Sequence, residues 1–298
     1  MGEAWVSYGE SVVAAGPLAG STLSELAARF GSGLVGSAVA ARTVAARADD
    51  RDAPGWPLLI KLLDCAGWLS IQVHPNDEQA RRLTGAGESG KTEAWFVLEA
   101  DPGACILLGV KPGVDATELA SAIRRGRVGD LAAEVAMETG QVVLIPAGTL
   151  HALGPGLLLY EIQQQSDVTY RAYDWGRPPS AGRNLHIEES VAVALPAMAE
   201  APRRPAAPSG SGLGLALECP YFVLELGRVE GNSSLSLGTD GSSFHVITLA
   251  EGTAEASAGG ERVRLARFET VLVPASAGEY RIRATDGPVA FLRASVPS

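Results

Sequence analysis

The fold class predicted by this sequence is mainly β with a few short helices. Three observations carry that reading. First, 35 glycines and 18 prolines cut the 298 residues into short segments, as in chains built from many strands joined by turns. Second, the apolar runs between them are brief, and several alternate polar with apolar residues, the period of a strand with one buried face. Third, apolar residues make up 46% and charged residues 19%, which excludes a disordered chain and leaves enough core for one large domain or two ordinary ones.

Charge and cysteine usage narrow the function classes. A formal net charge of −10 argues against a broad nucleic-acid or anionic-membrane footprint, because both need clustered Lys and Arg. An anionic small substrate would need a local basic pocket. Cys65, Cys105 and Cys219 are odd in number and lack C-x-x-C spacing, so they read as reduced, mostly buried thiols in place of a disulfide framework or thiolate zinc site. No secretory leader pattern or membrane-length apolar stretch is present, and the expectation is a cytoplasmic protein.

In chain order, residues 4–15 mix aromatic and β-branched residues and read as edge strands, and Gly16-Pro17 turns the chain. Thr22 with Glu25 three residues later is a capping-box pattern. It opens a short helix whose buried face would carry Leu23, Leu26 and Phe30. Residues 35–53, rich in Ala and Arg and containing the charged run at 49–52, read as a polar loop. Strands follow at 56–63 (WPLLIKLL, apolar except for Lys61) and 68–74 (WLSIQVH), then a short helix at 77–83. Residues 91–98 form a strand with Lys91, Glu93 and Trp95 on one face. Further strands are expected at 104–110, 140–151, 157–163 and about 166–175, with helices at 115–125 and 183–195.

Residues 196–214 are rich in Pro, Ala and Gly without periodicity and read as a linker. The domain expectation is therefore 1–195, a linker at 196–214, and a smaller β domain at 215–298. Residues 268–275 align with 140–147 at a constant offset, a degenerate internal repeat. In that register Glu279 takes the place of His151 and Ser276 that of Gly148, so the second copy is expected to lack a metal.

Gln72 and His74 are two apart on a strand, so their side chains leave the same face. Glu93 and His151 follow on later segments. Imidazoles and carboxylates are common zinc ligands, although an amide such as Gln72 is an unusual one. Any single histidine is more often a hydrogen-bonded structural residue, and His186 and His245 are read so. The set on neighbouring strands points to a metal.

The segment 140–151 has the form G-x5-P-x-G-x2-H and resembles the second signature of cupin barrels. PLAGSTLSEL, PLLIKLLD, LSIQVHPND, GKTEAWFVL, PAGTLHALG and EIQQQSDVTYRAYDW together resemble the type I mannose-6-phosphate isomerases, particularly the short bacterial form. The resemblance is dense from about residue 3 to about 193. It implies two cupin-like (jelly-roll) β-barrel domains, with one Zn²⁺ per chain in the first. The implied zinc ligands are Gln72, His74, Glu93 and His151. Arg171, Lys91 and Glu161 are implied as catalytic residues, and Ser70, Lys91 and Arg171 as substrate-binding residues. The chain starts almost at GEAW, without the strand-forming segment usual in the family, so an edge of the first barrel is expected to be open, differently closed, or lost to a mis-assigned start.

The implied reaction interconverts mannose 6-phosphate and fructose 6-phosphate through an enediol or enediolate. Lys91, Glu161 and a zinc-bound water stand as candidate proton carriers, unranked by the sequence. The partner is a small phosphosugar, with no nucleic acid and no membrane, in a monomer or weak homo-oligomer. The alternatives are an isomerase of another phosphosugar on the same scaffold, or a non-catalytic sugar-binding cupin.

Overall fold

The computed structural model describes residues 2–46, 55–85, 88–178 and 183–298. The chain is mainly β. It opens with β1 (Gly2–Ser7) and the helices α1 (Leu23–Phe30), α2 (Ser32–Val35) and α3 (Ser37–Ala46). Next come β2 (Leu58–Cys65), β3 (Ile71–Val73), α4 (Asp77–Thr84), β4 (Glu93–Ala100) and β5 (Cys105–Val110). They are followed by α5 (Ala116–Arg124), β6 (Ala132–Ala136), β7 (Val142–Ile145), β8 (His151–Leu153), β9 (Leu157–Gln164), β10 (Tyr170–Tyr173) and α6 (Ile187–Val193). Nine strands complete the chain: β11 (Gly212–Glu218), β12 (Val223–Val229), β13 (Ser234–Gly238), β14 (His245–Glu251), β15 (Ala254–Ala258), β16 (Glu261–Leu265), β17 (Thr270–Val273), β18 (Glu279–Ala284) and β19 (Val289–Ser295). Among the described residues no helix is long and apolar enough to cross a membrane.

Two compact units divide the chain: residues to Ala4 with Lys61–Arg204, and Trp5–Ile60 with Pro205–Ser298. The first carries a sheet ordered β1-β2-β9-β4-β7 and a second ordered β10-β3-β8-β5-β6. Trp95 and Val97 of β4 and Leu157 and Leu159 of β9 pack with Ile106 and Leu108 of β5 and Leu153 of β8, so a core layer lies between the sheets. The other face of the second sheet is apolar too. Ile71, Val73, Ala152 and Ala172 bury against Leu119 and Ile123 of α5 and Val193 of α6. Strict alternation on β3, β8 and β10 is thus a consequence of two different neighbours: helices behind, and a mixed polar and apolar interior in front.

The second unit repeats the order. Its sheets run β11-β12-β19-β14-β17 and β13-β18-β15-β16, so β17 takes the place of β7 and β18 that of β8, in keeping with the repeat seen in the sequence. Its core gathers Ile247, Leu249, Ala256, Val273, Ile282 and Phe291 from both sheets.

Local chemistry explains the helices. Thr22 caps α1 with the reciprocal Glu25 bond of a capping box, and Asn76 with Gln79 does the same for α4. Asp115 caps α5 through Glu118 N. Two expectations are corrected. Phe30 is 42% exposed, because the chain leaves the helix at Gly31 and its ring lies under the Arg29 guanidinium instead of in the core. The polar loop expected at 35–53 is helical from Ser37 to Ala46. Its alanines favour helix, and Arg42 anchors it by donating to the carbonyls of Pro220 and Pro297 at 2.7 and 2.8 Å. The charged run at 49–52 lies outside the described residues. Met198 and Arg203, within the Pro- and Ala-rich stretch, make backbone bridges to Gly109 and Val142.

Candidate metal centre

Three adjacent strands present one row of polar side chains to the space between the first unit's sheets. Arg171 of β10 pairs with Gln72 of β3, and Gln72 with His151 of β8. Directly opposed residues on neighbouring strands hold their Cβ atoms about 5 Å apart on the same face. His74 follows Gln72 at the end of β3. Glu93 comes from the facing sheet, at the start of β4.

The turns that deliver these residues are tied together. Gly148, at φ +85°, donates its N–H to the His74 carbonyl at 2.8 Å. A Cβ there would also stand 2.8 Å from the Leu195 side chain, so glycine is required on both counts. Gly90 is similarly confined: a Cβ would stand 2.5 Å from the Asn76 backbone. That close approach lets Lys91 N donate to the Pro75 carbonyl and sets the entry to β4.

His74, Glu93 and His151 are fully buried and their ligand atoms lie within 4.8 Å of one another. His74 Nε2 is 3.4 Å from Glu93 Oε2, and His151 Nε2 is 3.3 Å from Glu93 Oε1. The Nδ1 atoms face the carbonyls of Val168 and Thr149 at 3.1 and 2.9 Å. A carbonyl can only accept, so each Nδ1 carries the proton and each neutral Nε2 turns a lone pair inward. Glu93 Oε1 and His151 Nε2 are buried without a hydrogen-bond partner among the described residues. Two unsatisfied acceptors aimed at one point are costly, and a divalent cation would relieve both. The residues present therefore fit a metal of the kind bound by imidazole and carboxylate.

Electrostatics agree. Burial, aided by the neighbouring Lys91, lowers the His74 pKa to about 3; burial lowers that of His151 as well. Both rings therefore stay neutral, as ligands must be. Burial alone would raise the Glu93 carboxyl, but the Lys91 ammonium beside it holds it well below the usual range. Lys91 Nζ donates to Glu93 Oε2 at 2.5 Å and to His74 Nε2 at 3.0 Å.

Ser70 and Arg171 meet beside this cluster. Ser70 Oγ accepts from Arg171 Nε at 3.1 Å and from Arg183 Nη2 at 3.3 Å. Arg171 Nη1 also donates to the Asn184 carbonyl, and His186 Nδ1 accepts from the Arg171 backbone N–H. Burial and the nearby Arg183 charge lower the Arg171 pKa. Two guanidiniums meet on one hydroxyl, with Arg183 Nε also 3.3 Å from the buried Asp174 carboxylate, and form a local basic pocket in an acidic protein.

Glu161 sits elsewhere. It pairs across strands with Trp95, while Glu93 pairs with Gln163, so it lies one same-face step, about 7 Å, from the Glu93 position. Its Oε2 accepts from Trp95 Nε1 at 2.9 Å, and its Oε1 is 3.4 Å from Lys61 Nζ, which also reaches Glu3 at 3.3 Å. Burial and the Glu93 charge raise the Glu161 pKa; burial opposes the Lys61 charge, but Glu161 and Glu3 outweigh it and raise that pKa too. The Trp95 ring stands edge-on to His151, centroids 5.6 Å apart. Sequence reasoning missed Arg183, which lies outside every motif. It also passed over Lys61, although a lone charge on the inward phase of an apolar strand was the available signal.

A cupin-type β-sandwich with a buried His–Glu–His cluster defines the class: a candidate cupin metalloprotein with a basic pocket beside its ligand set. The comparisons narrow it. The phosphomannose isomerase type I catalytic domain matches residues 3–93. The chain is 33% identical to the mannose-6-phosphate isomerase ManA of Bacillus subtilis over 289 residues, covering 94% of this chain and 86% of that protein. It is 34% identical to a mannose-6-phosphate isomerase of Streptococcus mutans, covering 74% and 68%. The crystal structure of the Bacillus subtilis mannose 6-phosphate isomerase superimposes with a TM-score of 0.81 at 29% identity, covering 98% of this chain and 89% of that one. The chain belongs to the type I mannose-6-phosphate isomerase family.

Proposed function

We propose that the protein interconverts mannose 6-phosphate and fructose 6-phosphate using one Zn²⁺ held by Gln72, His74, Glu93 and His151. The observation that carries the metal is the pair of carbonyl-locked imidazoles whose unprotonated Nε2 atoms face a buried carboxylate. Zinc bound there would act as a Lewis acid on the sugar's C1 and C2 oxygens.

The chain's own residues supply the rest. Isomerisation moves a proton between C2 and C1 of the open-chain sugar through an enediol, and negative charge develops on the adjoining oxygens. Arg171, one strand from Gln72 and fixed by Ser70 and Asn184, is the cation for that charge. Lys91 belongs to the ligand layer and Glu161 to the layer below it, so we assign the proton transfer to Lys91 Nζ, which takes the sugar's proton only after its own has passed to Glu93 Oε2, 2.5 Å away. Glu161 holds Trp95 and, through it, the edge of the His151 ring. Lys91 is committed to Glu93 and nearly buried, which leaves the phosphate to Arg183 with Ser70 Oγ, a guanidinium being suited to two oxygens at once.

A coupled assay of metal-replete protein against a panel of phosphorylated aldoses tests this reading. Turnover of mannose 6-phosphate above the other aldoses is expected. Turnover of a different phosphosugar alone would replace the substrate, and absence of all turnover would leave a sugar-binding cupin.

A further inference from the structure

The second unit has an open seam. Strand β16 pairs with β15 alone and β17 with β14 alone among the described residues. Each is therefore the free edge of its sheet. In the first unit the edge corresponding to β17 is covered: Val142 of β7 donates to the Arg203 carbonyl at 2.8 Å and accepts from Arg203 N at 3.0 Å. Among the described residues no segment does this for β17 in the second unit.

Chemistry differs on the two sides of β16. Outward, Arg262 and Arg264 stand opposite Ser257 and Glu255, which face Arg281 and Arg283 of β18. Ser234 and Ser236 of β13 complete these rows. No aromatic residue interrupts them. Arg262 and Arg283 share Glu255, at 3.5 and 3.4 Å, and among the described residues no carboxylate pairs with Arg264 or Arg281. Four guanidiniums gathered on one face of a chain of net charge −10 are a concentrated exception. Inward, Val263 remains 38% exposed. It borders an apolar cleft of about 440 Å³ lined by Pro17, Val271, Val273, Ala277 and Tyr280.

We propose that the free edge of β16 accepts an extended segment of another protein, with alternating acidic and apolar residues, as an added strand. Same-face residues of an extended chain repeat about every 7 Å. Arg262 and Arg264 repeat at that interval, so alternate carboxylates of the guest meet alternate arginines. The intervening apolar side chains then enter the cleft beside Val263, and the backbone completes the ladder. A second copy of this chain does not fit: antiparallel pairing of β16 with itself sets Arg262 opposite Arg264, and like charges directly opposed are unfavourable. Single-stranded nucleic acid lacks the aromatic platform on which its bases would stack.

Fluorescence anisotropy with the full-length protein and a labelled peptide of alternating glutamate and valine tests the proposal. Saturable binding is expected, weakened about tenfold or more by combined Arg262→Glu and Arg264→Glu and by Val263→Asp, with isomerase turnover unchanged. A peptide N-methylated along the edge facing β16 should lose binding to the unaltered protein. No binding of the parent peptide would reduce the arginines to protection of a bare edge and overturn the proposal. Equal binding of the N-methylated peptide, or of polyglutamate, would mean a general anion surface and overturn it as well.

Discussion

Replacing Glu93 by glutamine in metal-free protein isolates the charge balance of the buried cluster. Lys91 is 4% exposed and Glu93 0%, with Nζ 2.5 Å from Oε2. At an effective dielectric of about 20, that separation corresponds to an attraction of roughly 7 kcal/mol, much of it offset by the cost of removing both charges from water. Glu93→Gln leaves the ammonium buried beside two neutral rings, and the expected loss is about 3–5 kcal/mol. In a Lys91→Met background the same change strands no charge and should cost about 1 kcal/mol, a coupling of roughly 2–4 kcal/mol. Urea unfolding of the four chelator-treated proteins measures it, provided the m values agree. Additive costs would show that the pair is not the balance described, and the charge logic of the centre would fail with it.

Four further outcomes are expected. His151→Ala should lose bound metal, measured by elemental analysis, together with turnover. Arg171→Ala should keep the metal and lose about 10²–10³ in kcat; an unchanged kcat would remove its role as a cation for developing charge. Arg183→Ala should raise KM for the phosphosugar about tenfold or more with little change in kcat, whereas a matching fall in kcat would place it in the chemistry. In the second unit, burial and then the Arg293 charge lower the His245 pKa from 6.5 to about 4. Between those values the unfolded chain binds the proton and the folded chain does not. Stability from this site is therefore full above about pH 6.5 and lost as pH falls toward 4, on the order of 3 kcal/mol at most. His245→Gln should flatten that part of the unfolding profile.

Much of the fold was legible because its signals are local. The alternation in 68–74 put Gln72 and His74 on one face, and the Thr22 box and Asp115 cap marked helix starts. The repeat at 140–147 and 268–275 marked two units of like strand order. What escaped depends on distant neighbours. Residues 37–46 carry no clear amphipathic period, so their helix was hidden among alanines and arginines until Arg42 met its two carbonyls. Phe30 had the right spacing for the core but the wrong place, at the point where the chain turns away.

The candidate site divides the same way. Same-face pairs within one strand are a matter of spacing, whereas the meeting of Glu93 with the two histidines requires one sheet to face another. Resemblance supplied the set, and geometry supplied the carbonyls that orient the imidazoles. Neither Arg183 nor the Lys61–Glu161–Trp95 chain could be assigned from periodicity, since each is defined by a partner on another segment.

On β3, β8 and β10 every chemical side chain is flanked by one that belongs to the helix-covered layer. A slip of one residue in β3 would send Gln72 and His74 into that layer and bring Ile71 and Val73 to the front. Polar groups would be entombed among apolar neighbours, and no cation could be held. Mispaired chains therefore forfeit the cluster that could hold an ion as well as the packing, so strand register alone decides whether the site exists.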